Sequence, residues 1–251
     1  MQALPHALAD ALSKNVVTGV KGVRVREIKQ RNSTAWLVEG TRNGKKFALK
    51  PDAVITAIPS GATAELFKSL DGSLSESLNA IYYPPVVEVF LGFKAVDIRR
   101  ALDGFGFLVP ANEHRKILGT IWSSSLFPGR APKGCVALTT FVGGSRQPEL
   151  TKESDDRIVK MVAEELDSIM GVSGRPVYRR IARWDRAIPQ YNLGHFAIVR
   201  KMEEFETQHL GLFISGNFRG GISVGDCVIN SEKTALRVQE FLKVQRTSEG
   251  N

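Results

Sequence analysis

The residues with the strongest potential for chemistry lie near the C-terminal end of the sequence. A buried-strand pattern over Leu210 to Ser215 leads into a turn with glycines at positions 216, 220, 221 and 225, followed by a helix to about Leu242. The capping-box spacing of Ser223 and Asp226 predicts Ser223 as the N-cap of this helix. Glycines let a ligand approach the backbone closely, and a helix N-terminus favours negative charge. The pattern indicates a phosphate or flavin site, although a plain glycine-rich connection produces the same pattern.

Other residue types that perform chemistry form no recognisable constellation. The sequence shows no catalytic triad, no metal-ligand cluster and no pair of carboxylates with acid–base spacing. Cys135 and Cys227 lie far apart, so we expect two packing thiols in a reducing compartment rather than a disulfide or a redox pair. His195 is a candidate general base by residue type alone.

The basic residues are spread along the chain, although the formal net charge is +8. Basic residues are densest in two runs, Lys21 to Arg31 and Arg175 to Arg186. In both runs they alternate with apolar residues, as in strands that have one solvent-exposed face. Because no nucleic-acid-binding module accompanies these runs, we expect a solvated basic surface and no nucleic-acid partner. No run approaches the roughly 20 apolar residues of a membrane-spanning helix, and the N-terminus lacks a secretory signal pattern.

The first part of the chain is predicted to form a helix, a meander and a buried strand. Leucines at positions 4, 8 and 12 have helical spacing. Alternation from Val16 to Ile28, two further apolar runs and a turn at Arg42 to Lys45 predict a small antiparallel meander. The apolar run from Ala53 to Ile58 predicts a strand buried on both faces, and a short helix from Ala62 to Phe67 follows.

From Pro84 onward, strand candidates separated by turn-rich loops surround one clear helix. Its apolar residues recur at positions 158, 162, 166 and 169, and Gly171 is expected to end it. The strands are predicted at Val86–Phe93, Phe105–Val109, Ile117–Trp122, Cys135–Val142 and Val177–Trp184. We therefore predict an α/β to α+β fold, in which a mostly antiparallel sheet with a helix across it (residues 67–185) interrupts a first domain (1–66 and 186–251). The tail after Val244 is predicted to be disordered.

Several segments resemble those of one enzyme family. The run from Leu212 to Asn217, followed by Gly221 to Gly225, is similar to the C-terminal FAD motif of the monoamine-oxidase-like flavoproteins. Further segments resemble the protoporphyrinogen oxidases of that superfamily and occur in the same order: Gly104–Pro110, Leu118–Pro132, Thr140–Arg146 and residues between Trp184 and His195. Met1 to Pro5 matches the family where its chains are already halfway through. The sequence thus resembles the C-terminal half of such an enzyme.

The resemblance implies part of an FAD-binding domain of the glutathione-reductase or amine-oxidase type, interrupted by a substrate-binding domain. The G-x-G-x-x-G fingerprint that holds the FAD pyrophosphate in this family is absent from the sequence. By the resemblance, the N-terminal half that carries it also carries the membrane-binding region and a basic residue for a substrate propionate. We therefore expect the N-terminal half as a partner of this chain, with peripheral membrane contact through that half. We also expect a cytoplasmic location and a fold that allows a homodimer.

The resemblance also assigns roles to single positions. Val25 would meet the adenine through its backbone. The other residues that match flavin-contacting positions are Trp184, Gly216, Asn217, Ser223, Val224 and Gly225. The residues that match positions clamping the pyrrole rings of a tetrapyrrole are Phe105, Leu108, Ile121 and Phe141. Core packing is the alternative for each of these four, for Trp184 and for Tyr191, which lies in a stretch close to the flavin.

The implied activity is oxidation of protoporphyrinogen IX to protoporphyrin IX in heme and porphyrin biosynthesis, by hydride transfer to FAD with dioxygen as acceptor. The cofactor performs the difficult step, so no catalytic side chain is expected, and the protein supplies orientation and a water-poor pocket. Oxidation of coproporphyrinogen III is the nearest alternative. The segments Trp122–Pro132 and Thr140–Arg146 disfavour a phytoene-desaturase-like or amine-oxidising relative. A cofactor-free binding module, inactive by itself, is the alternative of a different class.

Overall fold

The computed structural model describes residues 3–29 and 34–249, so Met1 and Gln2, which contributed to the resemblance, lie outside the described residues. The chain divides into two units: residues 1–81 with 191–251 form the first, and residues 82–190 form the second. These boundaries lie later in the sequence than the predicted ones, which fall at 66/67 and 185/186.

The elements follow one another in this order. The first unit begins with α1 (Ala3–Leu12), β1 (Val20–Lys29), β2 (Thr34–Arg42), β3 (Lys45–Leu49), β4 (Val54–Thr56), α2 (Ser60–Phe67) and α3 (Gly72–Asn79). The second unit contains β5 (Val86–Lys94), β6 (Gly106–Leu108), β7 (Gly119–Ile121), α4 (Ser123–Leu126), β8 (Cys135–Gly143), α5 (Asp155–Met170) and β9 (Tyr178–Trp184). The chain returns to the first unit with α6 (His195–Gln208), β10 (Leu212–Ile214) and α7 (Val224–Glu249).

The described strands form three sheets. The predicted meander is an antiparallel sheet in the order β1-β2-β3, and β4 and β10 form a parallel pair. The second unit holds a five-stranded antiparallel sheet in the order β6-β7-β8-β5-β9. This arrangement is the mostly antiparallel sheet that the strand candidates predicted.

The helix pair after β4 packs with α6, which explains why the first boundary lies beyond residue 66. Phe67 of α2 and Phe205 of α6 are buried, with 4.9 Å between their ring centroids. Lys201 of α6 donates to the hydroxyls of Ser73 and Ser77 in α3 at 3.1 and 2.9 Å. Because α3 and α6 are far apart in sequence, the sequence pattern did not reveal this packing, and it predicted neither helix.

The core of the second unit lies between its sheet and α5. Alternate residues of β5 and β8 face apolar residues of α5; the fully buried members are Val87, Val89, Leu91, Phe93, Leu138, Val142, Ile158, Val162 and Leu166. The helix ends at Gly171, whose φ of 68° is easily adopted by glycine alone, as predicted. Arg179 and Arg183 of β9 bind Asp156 and Asp155, each at 2.5 Å, and so attach the start of α5 to the sheet edge.

The C-terminal tail differs from its prediction. The residues after Val244 were expected to be disordered, but α7 continues to Glu249. The tail is polar and rich in residues of good helix propensity, so backbone hydrogen bonds can continue the helix without an apolar face. No helix within residues 3–29 and 34–249 is both long enough and apolar enough to cross a membrane.

Candidate functional site

The glycine-rich turn of the first unit begins where two parallel strands end. β10 pairs with β4, and the Ser215 N–H donates to the Thr56 carbonyl at 2.8 Å. Each strand is followed by the N-terminus of a helix, α2 after β4 and α7 after β10. In open parallel sheets, ligands bind beyond the carboxyl ends of the strands. The turn from Gly216 to Ser223 therefore lies at the edge where a ligand is expected.

The N-terminus of α7 has the predicted capping box. The Ser223 hydroxyl oxygen accepts from the Asp226 N–H at 3.0 Å, and the Asp226 carboxylate accepts from the Ser223 N–H and hydroxyl at 3.2 and 2.7 Å. The N–H groups of Val224 and Gly225 have no acceptor in the part of the chain that the structure describes. At the start of a helix of 26 residues, these two groups are available to an anion, whereas the Ser223 side chain is committed to the cap.

The glycines of this turn are required for different reasons. A Cβ on Gly216, Gly220 or Gly221 would lie 2.5, 2.7 or 2.6 Å from a side chain of the turn itself or of α7. All three also have positive φ angles, of 152°, 84° and 129°. Gly225 has open space, with the Ser223 Oγ 3.7 Å away as its nearest neighbour. Packing of the turn thus requires glycine at three of these positions, and Gly225 has open space around it. The contact of these glycines with a cofactor stays a prediction.

Tyr191 and His195 support the turn. The Tyr191 hydroxyl accepts from the Gly221 N–H and donates to the Asn217 carbonyl, both at 3.0 Å. Its ring stacks on the buried His195 with 4.0 Å between centroids, and the His195 Nε2 lies 2.9 Å from the Phe218 carbonyl oxygen. Because a carbonyl oxygen only accepts, Nε2 carries hydrogen. This nitrogen is thus a donor to the backbone and no free base.

We expect Tyr191→Phe to loosen the turn. Removing the hydroxyl leaves the Gly221 N–H and the Asn217 carbonyl without this partner, at a cost of about 1 kcal/mol in the free energy of unfolding. Amide hydrogen exchange at Gly221 should become faster, and urea unfolding measures the stability. Tyr82→Phe is the matched control, since no partner of the Tyr82 hydroxyl is found among the described residues. Unchanged exchange at Gly221 would contradict this role.

A buried carboxylate fixes the turn from a second side. The Glu206 side chain of α6 is 5% exposed and accepts from Arg219 Nη1 and Nη2 at 2.6 and 3.2 Å. It also accepts from Arg237 of α7 at 2.5 Å and from the Ile214 N–H at 2.7 Å. Sequence reasoning missed Glu206 and Arg219. The available signal was an acid on the same helix face as the buried Met202, one turn earlier.

The unpaired donors at the start of α7 suit the diphosphate of a dinucleotide cofactor. Two free N–H groups, of Val224 and Gly225, lie at the start of a long helix. The Thr56 hydroxyl at the end of β4 is buried and has no hydrogen-bond partner within the described residues. Because buried polar groups are normally paired, an unpaired hydroxyl at a strand end is consistent with a ligand at this edge.

One face of the sheet in the second unit packs against α5, and the other face points away from that helix. Side chains alternate between the two faces of a strand, so the register decides which residues lie together. Phe141 of β8 lies opposite Gly119 of β7, and Gly119 lies opposite Leu108 of β6. Ile121 lies in the next row, opposite Thr139. Leu108, Ile121 and Phe141, three of the four residues predicted to bind substrate, therefore share this face, which we call the open face.

We call the strip of the open face from Phe141 across Gly119 to Leu108 the slot. Two strand spacings, about 10 Å, separate the Cα atoms of Phe141 and Leu108. A Cβ on Gly119 would lie 2.5 Å from the Phe107 carbonyl oxygen and 3.1 Å from the Leu108 Cδ2, so a larger residue does not fit there and the Leu108 side chain reaches over Gly119. Leu108 is 88% exposed, and Phe141 is partly exposed. An aromatic and an aliphatic side chain on one face offer an apolar surface against which a flat pyrrole ring can pack.

The remaining predicted site residues lie in different places. Trp184 ends β9 opposite Val86 and is 55% exposed, which places it on the open face with the residues predicted for the substrate. Phe105 precedes β6, outside the paired register, and is 67% exposed. In the first unit, Val25 is buried in β1 opposite Val38, so a ligand would meet its backbone.

Beside Val25, an ion pair joins β1 to β2. The Arg26 Nε donates to the Glu39 carboxylate at 2.8 Å, and this hydrogen bond lowers the pKa of Glu39 below its ordinary value. The pair is exposed to solvent, so it adds little to stability. The meander is therefore held mainly by its backbone pairing and by the buried Trp36, whose Nε1 donates to the Leu210 carbonyl at 2.8 Å.

The chain is similar to known flavoenzymes along nearly its whole length. Residues 1–239 match the family described as flavin containing amine oxidoreductase. The chain is 32% identical to protoporphyrinogen oxidase 2 of Arabidopsis thaliana, with 97% of this chain and 49% of that protein covered. It is 27% identical to coproporphyrinogen III oxidase of Bacillus subtilis, with 72% and 38% covered. The structure of cyclohexylamine oxidase from Brevibacterium oxydans is 13% identical, with a TM-score of 0.67 and 94% and 51% covered.

These similarities bear on several predictions. The likeness to the amine oxidase structure confirms the predicted fold class, a partial flavin-binding domain interrupted by a sheet-plus-helix domain. The family match confirms the predicted flavin cofactor at the level of the family. The chain spans about half the length of the curated relatives it matches. With residues 1–239 covered by the family, the chain belongs to the flavin-containing amine oxidoreductases.

Proposed function

We propose that this chain supplies the substrate-binding face and part of the flavin site of an enzyme that oxidises protoporphyrinogen IX to protoporphyrin IX in porphyrin biosynthesis. The observation that carries the proposal is the apolar slot between Phe141 and Leu108 on the open face. A porphyrinogen is a large, mainly apolar macrocycle with acidic edges, so flat and branched side chains suit it. The Arabidopsis relative bears the name of this activity.

In this proposal, the side chains of the chain bind and orient, and none performs the oxidation. FAD, when bound, supplies the acceptor for the hydride that leaves the substrate. Phe141 and Leu108 hold the macrocycle in the slot and keep water away from it, and Ile121 packs against it from the next row. The N–H groups of Val224 and Gly225 bind the diphosphate of the cofactor.

A second stretch of polypeptide is proposed to complete the first unit. No residue of α1 is buried, and Leu4, Leu8 and Leu12 are 48%, 55% and 54% exposed. In β4, Ile55 is 48% exposed, although strands of parallel sheets are normally covered on both faces. Exposed apolar surfaces of this kind mark interaction sites. The proposed partner is the N-terminal half of the family fold, which carries the dinucleotide-binding fingerprint and the membrane contact.

Coproporphyrinogen III is the second candidate substrate. The relative from Bacillus subtilis is named for it. The observation in its favour is Arg180 of β9, an exposed cation on the open face in the same row as Phe90, Thr139 and Ile121. Coproporphyrinogen carries more carboxylates than protoporphyrinogen, and an arginine is well suited to bind one of them.

The cytoplasm is the proposed location. Both cysteines, Cys135 and Cys227, are free thiols, as is usual in a reducing compartment. The Arabidopsis relative is named as a chloroplastic and mitochondrial protein, so related chains also work inside organelles.

The first test is titration of FAD into the purified 251-residue chain, followed by flavin absorbance and fluorescence. We expect saturable binding, and we expect protoporphyrin IX to bind the same preparation. The relative affinities for protoporphyrin IX and coproporphyrin III then separate the two candidate substrates. A folded chain that binds neither FAD nor a porphyrin, both alone and together with the N-terminal half of the family fold, would contradict the proposal.

Co-expression with the N-terminal half of the family fold tests the complete enzyme. The pair is expected to purify with bound flavin and to form porphyrin from protoporphyrinogen in air. A well-folded pair that contains no flavin and forms no porphyrin would indicate a binding module without activity.

A further inference from the structure

The open face of the second unit carries an acid near its centre. Glu88 of β5 lies between Phe141 of β8 and Ala182 of β9, in the same row as the slot. Its side chain is half-buried and has neither a hydrogen-bond nor an ion-pair partner among the described residues. The cations on this face, Arg180 and Lys94, lie in other rows, and neither is paired with Glu88.

The two residues directly opposite Glu88 offer it no side-chain donor. They are Phe141 of β8 and Ala182 of β9, and Glu88 is half-buried between them. Arg180 is the nearest cation on this face, diagonal to Glu88 and roughly 7–8 Å away between Cα atoms, and it does not pair with Glu88. The geometry therefore favours a donor from a ligand.

The position of Glu88 relative to the slot indicates which donor it would meet. Residues directly opposite one another on antiparallel strands have Cβ atoms about 5 Å apart, so Glu88 and Phe141 are immediate neighbours. A pyrrole ring stacked on Phe141 would bring its nitrogen within reach of the Glu88 carboxylate. Because a carboxylate only accepts hydrogen bonds, the ligand must donate an N–H.

We propose that Glu88 accepts hydrogen bonds from pyrrole N–H groups and so makes the open face prefer the reduced tetrapyrrole to its oxidised product. This inference rests on the proposed function. Every pyrrole nitrogen of a porphyrinogen carries hydrogen, whereas half of the nitrogens of a porphyrin present a lone pair. A carboxylate attracts the first arrangement and repels the second, so the same residue holds the substrate and favours release of the product.

The test compares the affinity of the chain for the reduced tetrapyrrole with its affinity for the oxidised tetrapyrrole. Protoporphyrinogen IX, kept reduced under argon, and protoporphyrin IX are titrated separately into the purified chain by isothermal titration calorimetry. Both macrocycles carry the same propionates, but the porphyrinogen is puckered at its methylene bridges and the porphyrin is flat. The contribution of Glu88 is therefore the change in the ratio of the two affinities between the wild type and a Glu88 variant. We expect Glu88→Leu to lower the preference for the reduced macrocycle about tenfold or more.

Three further variants define the outcome. Glu88→Gln, which keeps the size of the side chain, is expected to lower the ratio by a smaller factor, and it serves as the test if Glu88→Leu unfolds the sheet. Glu149→Leu removes an exposed acid of the same unit and should leave the ratio unchanged. Phe141→Ala should weaken the binding of both macrocycles, because the phenyl ring packs against either one.

The two proposals can fail separately. If both macrocycles bind and the ratio is the same in wild type, Glu88→Leu and Glu88→Gln, the role of Glu88 is wrong and the proposed function stands. If the folded wild-type chain binds neither macrocycle, alone or paired with the N-terminal half, the proposed substrate face is wrong and so is the role of Glu88.

Discussion

Phe141→Ala is expected to weaken tetrapyrrole binding by about 30-fold, which corresponds to about 2 kcal/mol. Phe141 lies beside Gly119 on the open face, so its loss removes an aromatic surface next to the proposed macrocycle. The ring is partly exposed, and its removal leaves no closed cavity in the core between the sheet and α5. The free energy of unfolding should therefore change far less than the affinity for protoporphyrin IX.

The affinity for FAD provides the internal comparison for this variant. The donors proposed for the cofactor lie in the first unit, so FAD binding is expected to remain within about twofold of wild type, which is under 0.5 kcal/mol. Phe127→Ala is the matched control, because Phe127 is 52% exposed in the same unit but follows the short helix α4 and lies outside the paired strands. Equal losses of porphyrin and FAD affinity in Phe141→Ala would show that this residue does not belong to a substrate face.

Glu206→Leu should have the largest effect on stability. It leaves Arg219, whose side chain is 15% exposed, without its bidentate partner, and it leaves the Ile214 N–H without an acceptor. Removing one member of a buried ion pair costs about 3–5 kcal/mol. Urea unfolding followed by circular dichroism measures the loss. FAD binding should weaken as well, since the same carboxylate fixes the turn that leads into α7.

Glu203→Gln is the control for this network. Glu203 reaches the same arginine at 3.8 Å but is 59% exposed, and exposed ion pairs contribute under about 1 kcal/mol. If Glu206→Leu and Glu203→Gln unfold at the same urea concentration, the buried network does not stabilise the turn. Such a result would leave the capping box and Tyr191 as the supports of the glycine-rich segment.

Features that depend on neighbours in sequence were determined by the sequence itself. The cap formed by Ser223 and Asp226 needs residues three positions apart, and the end of α5 at Gly171 needs one residue with positive φ. The strands of the second unit and the meander follow from alternation over a few residues. The resemblance to the flavin-containing family rests on short segments of sequence that occur in a fixed order, and residues 1–239 match that family.

Only the tertiary structure decided which distant residues meet. Leu108, Ile121 and Phe141 share a face because of the register of three strands, and a shift of one residue would move a strand's side chains to the opposite face. The contact of Glu206 with Arg219 and Arg237 needs α6, the turn and α7 to pack together. Likewise, the sequence pattern around Glu88 is that of an ordinary surface acid in a strand. Glu88 lies beside Phe141 because β5 pairs with β8 in this register. Hydrogen bonds between the strands determine that register, and no local sequence preference does.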